Sequence, residues 1–268
     1  MLLNVIEAGQ GPPLVLLHGL FGSARNWGAV QKALASDYRV VALDMRNHGA
    51  SPHAPGMDYA AQAADVAETL VALGIERAVV LGHSMGGKAA MMLALTRPEL
   101  IERLIIADIA PRPYAPALRA VVAAMQALPL HAGLTRQEAD QALRTAVPEA
   151  PIRSFLLQNL RFEAAPPSWR IGLAEIAAAM PEIEDFTPPA GARFEGPALA
   201  MSGALSPYIR TEDHATFRAL FPRIGFASIP RAAHWLHAEN PEGFLAELRG
   251  FLRGPVEIHF ECMTAATR

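Results

Sequence analysis

The sequence predicts an α/β protein: a mostly parallel sheet covered by helices on both faces, with a helical insertion after the fourth strand of the run. Three observations carry this. Short, continuous apolar runs alternate with helical segments through the first hundred residues. The alternation stops near Ile109 and returns near Ala198. The 268-residue chain is 51% hydrophobic and only 18% charged, which suits strands buried on both faces.

The elements follow in order. Leu14–Leu17 comes after Gly11-Pro12-Pro13 and reads as a buried parallel strand. Ser23 can cap a helix from about Ala24 to Ala35. Arg39–Leu43 is the next strand. Asp58 can cap a helix running to Leu73, which Gly74 closes. Ala78–Leu81 is a strand, Gly87–Thr96 a helix halted by Pro98, and Leu104–Ala107 a strand. From Ile109 to Ala190 no run reads as a strand. Leu118, Val121, Val122 and Met125 recur at helical spacing, as do Ile152, Phe155, Leu156 and Leu160, and Leu173, Ile176, Ala177 and Met180. Prolines punctuate the entry (Pro111, Pro113, Pro116), the middle (Pro166, Pro167) and the exit (Pro188, Pro189) of this segment.

The sheet resumes with Ala198–Met201, then a helix near Thr211–Leu220, a strand near Gly225–Ile229 and a helix near Pro241–Leu252. The division that results is a core of residues 1–108 and 191–253, an insertion of 109–190, and a tail of 254–268. In the tail, Val256, Ile258 and Phe260 alternate like an edge strand, while the terminal position favours disorder.

Composition narrows the function classes. Net charge is −3, so no basic face is implied and nucleic acid is not an expected partner. The lone Cys262 cannot build a disulfide framework or a cysteine zinc site. The N-terminus lacks the basic start and apolar run of a secretory signal, and the long uncharged stretches, Ala8–Ala24 and Ala120–Thr135, are broken by proline or glycine. The expectation is a cytoplasmic protein without a membrane span, monomeric or homodimeric, acting on a small molecule.

The chemistry sits in Gly82-His83-Ser84-Met85-Gly86, a match to G-x-S-x-G. The pattern alone is weak. A strand leading in and a helix leading out make it specific, because that sharp turn exposes the serine at the carboxyl end of the sheet. The helix N-terminus behind it adds partial positive charge. A serine hydroxyl needs a base. Of nine histidines, four precede Ser84 and others fall in the insertion, a helix start or the tail. His234 lies five residues past the last strand, in a loop at the carboxyl edge, and is the expected base; His237 reads as a capping or packing residue.

The acid is expected after the strand Ala198–Met201, but that loop reads Gly203-Ala-Leu-Ser206-Pro207. Glu212 and Asp213 fall in the first turn of a helix, where acids occur for dipole reasons. Asp108 ends the preceding strand at the same edge and is the expected partner of the imidazole, with Ser206 as a second hydrogen-bonding group. Two backbone N–H groups complete the set as an oxyanion hole. Met85 is the first donor, and the second is Leu20, or failing that Phe21, in the loop His18-Gly19-Leu20-Phe21-Gly22. His18 is expected to brace this loop.

Together these residues resemble the α/β-hydrolase superfamily. His18-Gly-Leu-Phe-Gly-Ser, Asp44-Met-Arg-Asn-His-Gly, Gly82-His-Ser-Met-Gly-Gly-Lys, Asp108-Ile-Ala-Pro, Ser206-Pro-Tyr and His234-Trp-Leu-His-Ala-Glu look like one branch, the small bacterial carboxylesterases with acyl-CoA thioesterase activity and their mitochondrial relatives. The resemblance spans about Leu14–Leu252 and implies a Ser–Asp–Ser–His set. It implies an acyl-enzyme on Ser84 formed from a carboxylic ester, with acyl thioesters as a second substrate class, and no metal or organic cofactor. The same residues would serve a carbon–carbon bond hydrolase, a perhydrolase, or a slow ligand-binding receptor.

The insertion is expected to act as a lid. Phe155, Leu156, Trp169 and Met180 would line an acyl pocket, with Phe21 beside the serine. Its seven Arg against eight acids give −1, so charge ranks simple esters ahead of CoA thioesters.

Overall fold

The computed structural model describes residues 1–163 and 165–254. The chain opens with β1 (Val5–Ala8) and β2 (Pro13–Leu17), then a single 3₁₀ turn at Ala24–Trp27 that runs into α1 (Gly28–Leu34). It continues through β3 (Arg39–Leu43), α2 (Tyr59–Ala72), β4 (Ala78–His83), α3 (Met85–Thr96) and β5 (Ile101–Ala107). The insertion contributes α4 (Arg119–Gln126), α5 (Arg136–Leu143), α6 (Ala150–Leu156), β6 (Leu160–Arg161), β7 (Ser168–Trp169), α7 (Leu173–Ala178) and α8 (Met180–Glu184). The core resumes with β8 (Ala198–Gly203), α9 (Asp213–Leu220), β9 (Ile224–Ile229), α10 (Leu236–Glu239) and α11 (Pro241–Arg253).

Seven strands form the main sheet in the order β1-β3-β2-β4-β5-β8-β9. Among the described strands of this sheet only β1 runs antiparallel, pairing Val5 with Leu43 and Ala8 with Val40. Strand side chains alternate between faces. Leu14, Leu16, Leu81 and Ile105 pack with Trp27, Leu34, Phe244 and Leu248 from the α1 and α11 side. Val15, Leu17, Val80 and Ile106 pack with Val66, Leu70, Ala90 and Leu93 from α2 and α3. The apolar runs are therefore continuous because both faces are covered.

Local signals hold where a side chain dictates the backbone. The Asp58 carboxylate accepts from Ala61 N at 2.8 Å and starts α2, and Gly74 follows its end with a positive φ of 67°. Three expectations need correction. The strand Val5–Ala8 leaves no sequence signal because three half-buried residues and the exposed Glu7 at a sheet edge make no continuous apolar run. The helix at Ala24 begins as 3₁₀ and becomes α only at Gly28. The insertion holds a two-stranded ribbon, Leu160 opposite Trp169 and Arg161 opposite Ser168, too short to leave a period-two pattern. The tail from 255 onward, with Cys262, lies outside the described residues.

Candidate active site

Six loops leave the carboxyl ends of the parallel strands on one edge, the place where open α/β sheets hold their ligands. Ser84 follows β4 in a sharp turn, with φ 53° and ψ −118°. The turn closes because its flanking glycines carry no side chain. A Cβ on Gly82 would lie 2.1 Å from Gly86 O, and one on Gly86 would lie 2.5 Å from Leu17 O. Positive φ in non-glycine residues is costly and concentrates at functional sites. Among the described residues it occurs at Phe21, Asn47, Ser84, Asp108 and Arg231, and three of those five were named from the sequence.

Asp108, fully buried, directly follows β5. Its Oδ2 accepts from His234 Nδ1 at 2.8 Å and from Ser206 Oγ at 2.5 Å, while Oδ1 accepts from Gly203 N at 3.1 Å. The carboxylate thus bridges the loops after β8 and β9. Ser206 occupies the β8 loop position where an acid was first sought, and it serves as a donor. Asp213 is committed elsewhere, paired with Arg112 Nε at 2.8 Å and accepting from Arg210 N.

The base is fixed from three sides. His234 Nδ1 faces Asp108, and the Tyr208 ring stacks on the imidazole with centroids 4.1 Å apart. His83 Nε2–H donates to the His234 carbonyl at 2.8 Å. A carbonyl only accepts, so His83 carries its proton on Nε2. Burial pushes His83 well below its ordinary value and keeps it neutral. The residue before the serine thus holds the backbone of the base. Tyr208 and His83 were not singled out from sequence; the only sign was their place beside Ser206 and Ser84.

The loop after β2 is built from two neutral histidines. His18 Nδ1–H donates to Gly19 O at 2.8 Å and its Nε2 accepts from Met45 N at 2.9 Å. His48 Nδ1–H donates to Arg46 O at 2.8 Å and its Nε2 accepts from Phe21 N at 3.0 Å. Burial drives His48 down to about 3. The Phe21 N–H is therefore spent, whereas the Leu20 N–H has no partner among the described residues. The turn Asp44–Gly49 is structural: Asp44 accepts from Ala24 N, Ala50 N and Asn4 Nδ2.

Two cavities meet at Ser84. Leu20, Ser84, Leu118 and Tyr208 line both. The larger, about 780 Å³, is walled by Phe21, Phe155, Leu156, His234 and Trp235 and carries Glu149 and Glu239 but, among the described residues, no Lys or Arg. The smaller, about 330 Å³, is walled by Met85, Met180 and Ile183, with Lys88, Arg112 and Arg210 beside Glu184. Phe21, Phe155 and Leu156 thus face the larger space and Met180 the smaller. Trp169 lines neither; it pairs with Leu160 in the ribbon and packs on the core.

Lys88, one turn after Ser84, is buried and went unassigned in the sequence. Its Nζ donates to Asp185 O at 2.8 Å, Glu184 O at 3.1 Å and Ile183 O at 3.4 Å, tying α3 to the end of α8. Burial lowers it to about 7 against the pull of Asp185. Among the described residues no cluster of three or more His, Cys, Asp or Glu is arranged to hold a metal, and no helix is long and apolar enough to cross a membrane.

Comparison with known proteins agrees with this geometry. A family model described as the alpha/beta hydrolase fold matches residues 12–241. The chain is 39% identical over 249 residues to the sn-1-specific diacylglycerol lipase ABHD11 of Mus musculus, covering 90% of this chain and 81% of that protein. It is 36% identical to Esterase YbfF of Escherichia coli (strain K12), covering 90% and 92%. A solved structure of a marine microorganism esterase superposes with a TM-score of 0.90 at 34% identity, covering 93% of this chain and 99% of that one. With a matching family model over most of its length and close relatives among esterases, the chain belongs to the alpha/beta hydrolase fold family, in its esterase branch.

Proposed function

We propose that this carboxylesterase-type hydrolase cleaves carboxylic esters through an acyl-enzyme on Ser84. The observation that carries the reading is the Asp108–His234 pair, aligned by Ser206, with His234 bordering the same cavity as a serine in a strained strand-to-helix turn. Ser84 Oγ attacks the ester carbonyl as His234 Nε2 takes its proton. Asp108 keeps the other imidazole proton on Nδ1 and stabilises the imidazolium. The free N–H groups of Leu20 and Met85 receive the oxyanion. His234 then protonates the departing alcohol, and a water activated by the same imidazole releases the acid.

His234 delivers its proton to the leaving oxygen, so the alcohol lies on the His234 side, in the larger cavity. The acyl group then enters the smaller space beside Met85 and Met180. About 330 Å³ is near the lower end of ligand pockets and favours short acyl chains. The insertion, residues 109–190, acts as a lid: α4 and α6 wall the larger space and α8 the smaller. Acyl thioesters rank second: a CoA leaving group would meet Glu149 and Glu239 on the alcohol side, with no cation among the described lining residues to receive its phosphates.

A p-nitrophenyl ester series from acetate to decanoate tests this. Turnover should fall with chain length, exceed that of matched acyl-CoA thioesters, and vanish in Ser84→Ala. Activity surviving in Ser84→Ala removes the acyl-enzyme reading.

A further inference from the structure

The larger cavity is acidic, and no neighbouring cation cancels its two carboxylates. Glu149, exposed just before α6, makes no side-chain hydrogen bond or ion pair to a described residue. Glu239 accepts from Ala233 N at 2.5 Å and from Trp235 N at 3.4 Å, two neutral donors that orient it without cancelling its charge. Among the described residues lining this cavity there is no Lys or Arg. Its histidines do not make up the difference: burial lowers His18, His83 and His237, and His234 is turned toward Asp108. A space of about 780 Å³, taken as a sphere, is about 11 Å across, close to the ~8–10 Å over which salt screens a charge. A charge inside it therefore feels both carboxylates without touching either.

The surface that such a charge would touch is aromatic. Trp235 directly follows the base, and Phe155 comes from α6 of the insertion. Their ring centroids are 5.6 Å apart and the planes are tilted by 56°, which makes an open corner rather than a flat stack. Both residues are half-buried and both line the cavity, so each keeps surface open to it. Aromatic faces attract cations. A primary ammonium brings three N–H donors that need acceptors, and the Glu239 oxygens already serve backbone donors. A fully alkylated ammonium has no donor to satisfy.

We propose that the larger cavity is an alkylammonium subsite, selecting esters whose alcohol carries a trimethylammonium or similar alkylated group, as choline does. Trp235 and Phe155 supply the contact, and Glu149 and Glu239 supply the field. Because Trp235 is the neighbour of the base in the chain, the cation sits where the departing alcohol takes its proton. The same field disfavours anionic alcohols. The proposal rests on the acyl-enzyme reading and on its placement of the alcohol in the larger cavity.

The test compares choline with neohexanol, which match in shape and differ in one central atom, charged nitrogen against neutral carbon. Calorimetric titration of Ser84→Ala should show choline binding about tenfold more tightly. Raising salt from about 50 mM to about 500 mM should shrink that advantage. Trp235→Leu and Glu149→Gln, each added to Ser84→Ala, should reduce it, whereas Trp235→Phe, which keeps an aromatic face, should retain most of it. Glu149→Gln alters an exposed side chain, so its result does not depend on core packing. In the active protein, the kcat/KM ratio of butyrylcholine to neohexyl butyrate should fall in the same variants. The intrinsic reactivities of the two esters are the same throughout, so a change in the ratio reports the site. Equal or tighter binding of neohexanol, or a choline preference that neither salt nor these variants move, overturns the subsite. If Ser84→Ala retained turnover of butyrate esters, the acyl-enzyme reading would fail while the binding of the two alcohols still decided the subsite.

Discussion

Replacing Asp108 by Asn keeps the shape of the acid and alters only what its two terminal atoms can do. In the native carboxylate, Oδ1 faces the Gly203 N–H, while Oδ2 faces two donors, His234 Nδ1–H and the Ser206 hydroxyl. An amide has one oxygen and one NH₂. The Gly203 N–H is fixed in the backbone at the end of β8, so the amide oxygen settles there and the NH₂ turns toward His234. The imidazole must then accept at Nδ1, which moves its proton to Nε2, the atom that has to take the proton of Ser84. Loss of the productive tautomer costs about 10⁴ in kcat in a triad of this type, or about 5.5 kcal/mol of transition-state stabilisation. KM should change little, because the fully buried Asp108 lines neither cavity. Steady-state hydrolysis of p-nitrophenyl butyrate reads this, and circular dichroism checks the fold. A kcat within tenfold of wild type, or an equal loss in Asp213→Asn, would refute the assignment.

Ser206→Ala removes one of the two hydrogen bonds to Oδ2 and leaves the His234 contact, so kcat should fall about tenfold rather than ten-thousandfold. Gly86→Ala drives a Cβ to 2.5 Å from Leu17 O, with no flexible group to give way; a soluble, fully active variant would contradict the tightness of the turn. Lys88→Ala strips three carbonyls at the end of α8 of their donor and opens space beside the smaller cavity, which should cost about 2–4 kcal/mol in urea unfolding. Burial holds His237 down to about 4, whereas the unfolded chain takes up that proton near 6.5. Its stabilisation is complete above about pH 6.5 and is lost as pH falls toward 4, amounting to about 3 kcal/mol over that window. The melting temperature should therefore drop between pH 6.5 and 4, and less steeply in His237→Phe.

What could be read from the chain was set by local chemistry. The five inner parallel strands are buried on both faces, so continuous apolar runs marked them, whereas Val5–Ala8 at the edge left no such trace. Ser84 was legible because only glycines fit around it, and Asp108 because it ends a strand on the right edge. Partnerships made through space left no periodic mark. His83 reaching the His234 carbonyl, Tyr208 stacking on the imidazole, and Lys88 capping α8 join residues whose spacing carries no signal. The reading of His237 as a capping or packing residue fits its contacts with Trp27 and Phe244, though its buried Nδ1 has no partner among the described residues. Trp169 looked like a pocket residue because an aromatic in an amphipathic segment gives no sign of which way the ribbon turns it.

Asp108 is the last residue before the insertion, yet everything that holds it belongs to the body of the protein. Its N–H donates to Met201 O at 2.8 Å, and its carboxylate is gripped by Gly203, Ser206 and His234. The next residue, Ile109, already borders the smaller cavity. The segment from Ile109 to Ala190 can thus be exchanged as a cassette, with one seam just after Asp108. Recombination of this segment would import new walls for the substrate while leaving the acid, the base and the serine in register. Divergence of substrate range among relatives can therefore accumulate in one contiguous stretch of gene, and laboratory chimeras should be cut after Asp108 rather than before it.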